Sequence, residues 1–171
     1  MTLRLRPLSA ADEPAFLDAQ RAMAPEGFAF GFDYDEGMPW ASYLALLEQQ
    51  AAGRDLPPNR VAATLLVGEV DGALVGRISI RHDLNAWLAE VGGHIGYCVL
   101  PEHRRRGHAT AMLRQSLVVA RGLGIPNALL TCDEDNLGSR KVIEACGGVF
   151  ERHAVNPGAP LKRRYWVPTA G

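Results

Sequence analysis

Apolar and polar residues alternate in "LRLRP", the period of a half-buried strand, and Pro7 ends it. The next stretch, "SAADEPAFLDAQRAM", predicts a helix, with Ser9 as N-cap and Asp12 and Glu13 in the first turn, where carboxylates suit the helix dipole. A loop, "APEGFAFGFDYDEGMP", leads to a second helix around Trp40 to Ala52. In "VAATLLVGEVDGALVGRISIRH" two apolar runs meet at Asp71-Gly72, a type I′ hairpin signal. "GGHIGYCVL" is a further strand that Pro101 closes. Leu113 and Leu117, one turn apart, mark a helix from Gly107 to Leu123, capped by Gly124 and blocked by Pro126. "NALLTC" is almost wholly apolar, as in a strand covered on both faces. "NLGSRKVIEACGG" reads as a helix with Asn136 near its start, and "VFERHAV" and "RRYWV" as a closing hairpin around "NPGAP". The order β-α-α-β-β-β-α-β-α-β-β predicts one α/β domain over residues 1–171, a mixed central sheet with helices on both faces.

Composition narrows this picture. The 171 residues are 47% hydrophobic and 22% charged, which is globular, and the formal net charge of −1 argues against nonspecific nucleic-acid binding. No apolar run is long enough to span a bilayer, and no export signal is visible. Cys98, Cys132 and Cys146 are odd in number, widely spaced and set among apolar residues. They predict buried thiols in a reducing cytoplasm, with neither disulfides nor a metal site.

Against this neutral balance, "PEHRRRGHATAM" places Arg104, Arg105 and Arg106 side by side before Gly107 and an apolar helix. Adjacent arginines repel one another unless an anion sits among them. The first turn of a helix carries unpaired N–H groups and a partial positive charge, and a glycine at its mouth lets a ligand approach the backbone. The other reading is a solvated basic turn eased by its glycine.

The stretch resembles the cofactor loop Q/R-x-x-G-x-G/A of the GNAT N-acetyltransferase superfamily, with Arg104, Gly107 and Ala109 at the defining positions. Downstream, "TCDEDNLGSRKVIEACGG" resembles the superfamily's N-x-x-S block at a helix start, and the order of elements is similar throughout. The pieces "GGHIGY", "RRRGHATAML", "TCDEDN" and "RRYW" resemble a bacterial subgroup of predicted acetyltransferases. The resemblance implies a GNAT fold and acetyl-coenzyme A as co-substrate. The arginine run would meet its phosphates, with backbone N–H groups of Arg105, Arg106, Gly107, His108, Ala109 and Thr110 holding the pyrophosphate. Cys98, Val99 and Leu100 would bond the pantetheine arm and the acetyl carbonyl, and Asn136 and Ser139 would lie beside that arm. For Asn136 a plain N-cap is the alternative, and the two roles are compatible.

Acetylating an amine needs a neutral nucleophile, a polarised thioester carbonyl and a departing thiolate. His94 falls where related enzymes carry a glutamate base, and Glu90 is the substitute; the competing readings are a histidine bonded inside the sheet and an exposed loop carboxylate. Cys98 joins the catalytic set through its strand, but a covalent route through its thiol is disfavoured, because no base adjoins it in sequence. The tyrosine that often protonates the thiolate is replaced by Ile143, with Tyr97 and Tyr165 as substitutes or as core residues. In "GFAFGFDYDEGMPW", Asp33, Asp35 and Glu36 among aromatics would suit a cationic amine, or the aromatics pack inward and the acids face water. The expected function is acetyl transfer from acetyl-coenzyme A to a small-molecule or peptide amine by direct attack in a ternary complex. The rival is a non-catalytic acyl-coenzyme A sensor or interaction module. The expected protein is cytoplasmic, a monomer or homodimer, without nucleic-acid, membrane or metal partners.

Overall fold

A computed structural model describes residues 2–170. Strands β1 (Arg4–Arg6), β2 (Ala63–Val70), β3 (Ala73–Arg81) and β4 (Ile95–Val99) form an antiparallel sheet in that spatial order. The β2–β3 turn has φ of 50° at Asp71 and 83° at Gly72, the two left-handed residues that a type I′ hairpin demands. Strands β5 (Asn127–Asp133), β6 (Val149–Ala154) and β7 (Lys162–Pro168) form a second antiparallel sheet, with β7 between the other two. Four helices, α1 (Glu13–Met23), α2 (Trp40–Ala51), α3 (His108–Gly122) and α4 (Leu137–Ala145), stand where the sequence places them. A five-residue π-helical turn at Leu88–Gly92 and 3-10 turns at Ala10–Asp12, Ala24–Glu26 and Pro101–His103 are elements that periodicity missed.

The α/β architecture and element order are as read, and the sheet is divided where β4 meets β5. His94 joins the two halves. Its N–H donates to the Leu129 carbonyl at 2.7 Å, and its Nδ1 accepts the Leu129 N–H at 2.9 Å. Beyond that point no ladder joins β4 to β5 among the described residues. Unpaired strand edges in a protein interior leave N–H and C=O groups in need of partners. The division therefore creates a polar seam in the middle of the molecule.

Each face of the first sheet is covered by a different layer. Met112, Leu113, Leu117 and Ala120 of α3 pack with Ile78, Ile80, Ile95 and Val99. On the other face Phe16 of α1 meets Phe30, Tyr34, Trp40 and Tyr43 at ring-centroid distances of 5.8, 5.0, 5.0 and 5.2 Å. Such aromatic pairs add about 0.5–1.5 kcal/mol each to the area they bury. At the start of α1, Asp12 closes a capping box with Ser9 and takes two bonds from Arg6, at 2.7 and 2.8 Å. The Arg6 guanidinium holds the Asp12 carboxyl at a pKa of about 2. No helix among the described residues is long and apolar enough to cross a membrane.

Candidate functional site

The seam between the sheets opens into a cleft of about 700 Å³. Tyr97, Cys98 and Val99 of β4 form one wall, the loop at Arg104 and Arg105 with Gly107 to Thr110 a second, and Asn136 and Ser139 at the start of α4 a third. Gly107 is the N-cap of α3 with φ of 79°, and Arg105 is left-handed too, at 60°. The first backbone bond of the helix runs from the Ala111 N–H to the Gly107 carbonyl at 3.1 Å. His108, Ala109 and Thr110 therefore bring N–H groups without helical acceptors to the cleft.

The three adjacent arginines have different fates. Arg104 donates to the Glu26 carboxylate at 2.8 and 2.9 Å and, through Nε, to the Val99 carbonyl at 3.0 Å. Its charge is thus answered by Glu26 at the cleft, which both residues line. Arg106 is exposed and lines no part of the cleft, whereas Arg104 and Arg105 both border it. An intact i-to-i+3 spacing to Gly107 identified the loop but could not show that Glu26, from a distant segment, holds Arg104.

The β3–β4 ladder decides which backbone groups face the cleft. The Arg81 N–H bonds the His94 carbonyl, and the Leu100 N–H bonds the Val75 carbonyl at 2.9 Å. Antiparallel pairing alternates, so His94, Gly96, Cys98 and Leu100 turn their main chain to β3, and Tyr97 and Val99 turn theirs to the open edge. The backbone contributions expected of Cys98 and Leu100 pass to their neighbours for that reason. Leu100 does not line the cleft at all. The Cys98 side chain does, but burial raises its thiol pKa, with Arg77 acting the other way.

Tyr97 carries the most telling atom of the site. Among the described residues its hydroxyl is the one buried side-chain polar atom without a hydrogen-bond partner. Burial pushes its pKa up to about 12, and the Ser139 hydroxyl, close enough to interact with it but not in hydrogen-bonding geometry, acts the other way. The hydroxyl therefore stays protonated at neutral pH, at the edge of a cleft, with a donor to offer. Asn136 is the N-cap of α4, its Oδ1 accepting the Ser139 N–H at 3.0 Å. Its amide nitrogen has no protein partner among the described residues, so capping leaves a donor for a ligand. Ile143 is 1% exposed within the core, and Tyr165 is held between Arg163 and Glu144, at 2.9 and 3.0 Å.

The two proposed bases are elsewhere. His94 is 8% exposed, and burial lowers its pKa. With Nδ1 accepting the Leu129 N–H, its neutral form carries the proton on Nε2 and has no lone pair left for an ammonium proton. It is a joint between sheets, and the base assignment is corrected accordingly. Glu90 pairs with Arg152 at 2.8 and 2.9 Å, which lowers its pKa, and it lies outside the cleft. Asp33, Asp35 and Glu36 are exposed and also lie outside it, and Asp33 is bonded to Arg60 and, at 2.7 Å, to Gln50. Phe30 is fully buried, Phe28 and Tyr34 pack against the same cluster, and the three acids line neither this cleft nor a wall of it. No group of three or more metal-ligating side chains occurs among the described residues.

A cleft with free helix N–H groups at one end, an open strand edge in its middle and an unpartnered hydroxyl beside it fits a ligand with an anionic head and an amide-bearing arm. Comparisons with known proteins agree with this shape. Residues 2–149 match the sequence profile of the acetyltransferase (GNAT) domain. RimJ of Mycobacterium smegmatis, solved with CoA-disulfide, superposes with a TM-score of 0.70 at 21% identity, over 97% of this chain and 81% of that one. YncA, a putative acetyltransferase from Salmonella typhimurium solved with acetyl-CoA, gives 0.65 at 16%, over 99% and 95%. A spermidine N-acetyltransferase SpeG chimera from Vibrio cholerae and hSSAT gives 0.61 at 19%, over 99% and 97%. No curated protein sequence matches. With the profile covering most of its length and the same fold in its structural neighbours, the chain belongs to the GNAT acetyltransferase family.

Proposed function

We propose that the protein transfers the acetyl group of acetyl-coenzyme A to a primary amine by direct attack in a ternary complex. Membership of the GNAT family supports acetyl transfer in general. The observation that carries the specific reading is the meeting, in one cleft, of the α3 N-terminus, the open edge of β4 and the Tyr97 hydroxyl.

Coenzyme A supplies the activated acetyl group as a thioester. Residues His108 to Thr110 bind its pyrophosphate through their N–H groups, where the helix dipole favours negative charge. The Val99 N–H, directed to the open edge, donates to the acetyl carbonyl and stabilises the negative charge that develops on its oxygen during attack. The Asn136 amide holds the arm. The Tyr97 O–H donates its proton to the departing sulfur. The carboxylate that acts on Cys98, Glu26, is held by Arg104, so the amine enters as its neutral form or loses its proton to water. A covalent route through Cys98 is disfavoured by a thiol pKa raised by burial.

The test is release of free thiol from acetyl-coenzyme A across a panel of primary amines, with acetylated product identified by mass. Amine-dependent release is the expected result. Tight coenzyme A binding with no release for any amine would favour the acyl-coenzyme A sensor instead.

A further inference from the structure

A second cavity, of about 200 Å³, lies across the first sheet from α3. Arg77, Ser79 and Arg81 alternate along β3 with Ile78 and Ile80, which face α3, so they point to this opposite side. The two cavities are neighbours, because the Arg77 guanidinium lies between Phe28, at 4.8 Å, and Phe32, at 4.2 Å. Phe28 lines the cofactor cleft and Phe32 lines the second cavity.

The charge of this cavity has one sign. Arg60 and Arg81 line it, and no acidic residue does. Asp33, outside the lining, answers Arg60. Arg81 has no such answer: its Nη1 bonds the Gly92 and Gly93 carbonyls at 3.1 and 3.2 Å, and no carboxylate pairs with it among the described residues. Burial, then the positive charges of Arg77 and Arg60, lower its pKa. A guanidinium without a carboxylate partner, facing a cavity that no acidic residue lines, calls for an anion. The guanidinium also lies flat over β4, since a Cβ added to Gly96 would stand 3.7 and 3.8 Å from its two terminal nitrogens. Gly96 is two residues from Cys98, ~7 Å along the strand. An anion on Arg81 is thus within a small molecule's length of the reacting strand. Leu47 and Leu56 add apolar lining, Leu65 lies beside Ser79 on the sheet face, and Trp87 is 57% exposed at the mouth.

We propose that this cavity is the acceptor subsite and that it selects a small amine bearing a carboxylate, of free amino-acid size and with an apolar side chain. The proposal rests on the acetyl-transfer reading. Arg81 receives the carboxylate, the Leu47–Leu56–Trp87 wall takes the side chain, and the amine points toward β4 beside Arg77, whose guanidinium is fixed by the Phe30 and Ala29 carbonyls at 2.9 and 3.1 Å. It replaces the acidic-loop idea by one of opposite charge.

The test compares leucine, leucinamide, isoamylamine, spermidine and a leucine-led tripeptide as acceptors at saturating acetyl-coenzyme A. It also titrates leucine and leucinamide into the coenzyme A complex of the wild type, Arg81→Gln and Arg81→Lys. The expected kcat/KM is at least about tenfold higher for leucine than for the others, because a site built for a polar group rejects analogues lacking it. Arg81→Gln should raise KM for leucine about tenfold or more without changing KM for acetyl-coenzyme A, and Arg81→Lys should recover part of the loss. Equal use of the amide or the plain amine, or a preference for spermidine, overturns the proposal and leaves acetyl transfer standing. Preference for the tripeptide overturns the free amino-acid source. If no amine is acetylated but leucine, unlike leucinamide, binds in an Arg81-dependent way, the subsite stands and the enzymatic reading falls.

Discussion

Tyr97 shows how a single residue changes meaning between sequence and structure. In the sequence it is one of two aromatics that a packed core would absorb, and the core does absorb Tyr165, giving its hydroxyl two partners. Tyr97 is half-buried with its hydroxyl buried and unpaired, and nothing in the pattern "HIGYCV" announces that the groups around it withhold a bond. A buried orphan of this kind costs about 1–3 kcal/mol unless a ligand answers it. Tyr97→Phe removes the O–H alone. The expected outcome is a turnover number lower by about ten- to a hundredfold, with the Michaelis constant for acetyl-coenzyme A nearly unchanged. Unchanged turnover would mean that the thiolate, with a conjugate-acid pKa near 8.5, leaves unaided. His94 makes the opposite lesson. Its position matched a base, and only the contact with Leu129, 35 residues away, shows its lone pair already used.

Among the elements, those announced by local chemistry were legible. Pro7, Asp71-Gly72, Gly124 and Asn136 mark strand ends, a hairpin and helix caps through properties of the residues themselves. The N-terminus of α3 belongs to this class. The three arginines before it have fates that the sequence does not separate: Arg104 ties the loop to Glu26, Arg105 borders the cleft and Arg106 is exposed. Gly107 holds φ of 79° with nothing within 4 Å of a Cβ placed there. Gly107→Ala therefore fits sterically but strains the backbone by about 1–2 kcal/mol. The expected outcome is coenzyme A affinity weakened about tenfold by displacement of the His108–Thr110 turn, read by calorimetric titration. Affinity equal to the wild type would show that this turn does not hold the pyrophosphate. The division of the sheet was not legible, because strand sequences carry periodicity and not pairing. That "GGHIGYCVL" and "NALLTC" hydrogen-bond through His94 and Leu129 and then leave a seam follows from tertiary geometry alone.

On the scale of the whole molecule, the seam makes stability and function share a residue. His94 holds the halves together in its neutral form. Burial places its folded pKa below the unfolded value of about 6.5, so the unfolded chain binds the extra proton first. Its contribution is complete above that pH and lost as the pH falls below it. Denaturant titrations of the wild type and His94→Gln from pH 7.5 to 5 should show a smaller acid-side loss in the variant, whose amide oxygen can still accept the Leu129 N–H. His82 and His108 also have lowered pKa values, so the difference between the two proteins, not the slope of either, is the quantity to read. Equal losses would remove His94 as the pH-sensitive joint. The same joint fixes where the cleft begins, with the helix N-terminus on one side of the sheet and the arginine-lined cavity on the other. The structure of the acetyl-coenzyme A complex tests this arrangement most directly. The account predicts the pyrophosphate on the His108–Thr110 N–H groups, the arm along β4 at Tyr97 and Val99, and the thioester sulfur within hydrogen-bond reach of the Tyr97 hydroxyl. An arm running outside the seam, or a sulfur remote from Tyr97, would contradict it.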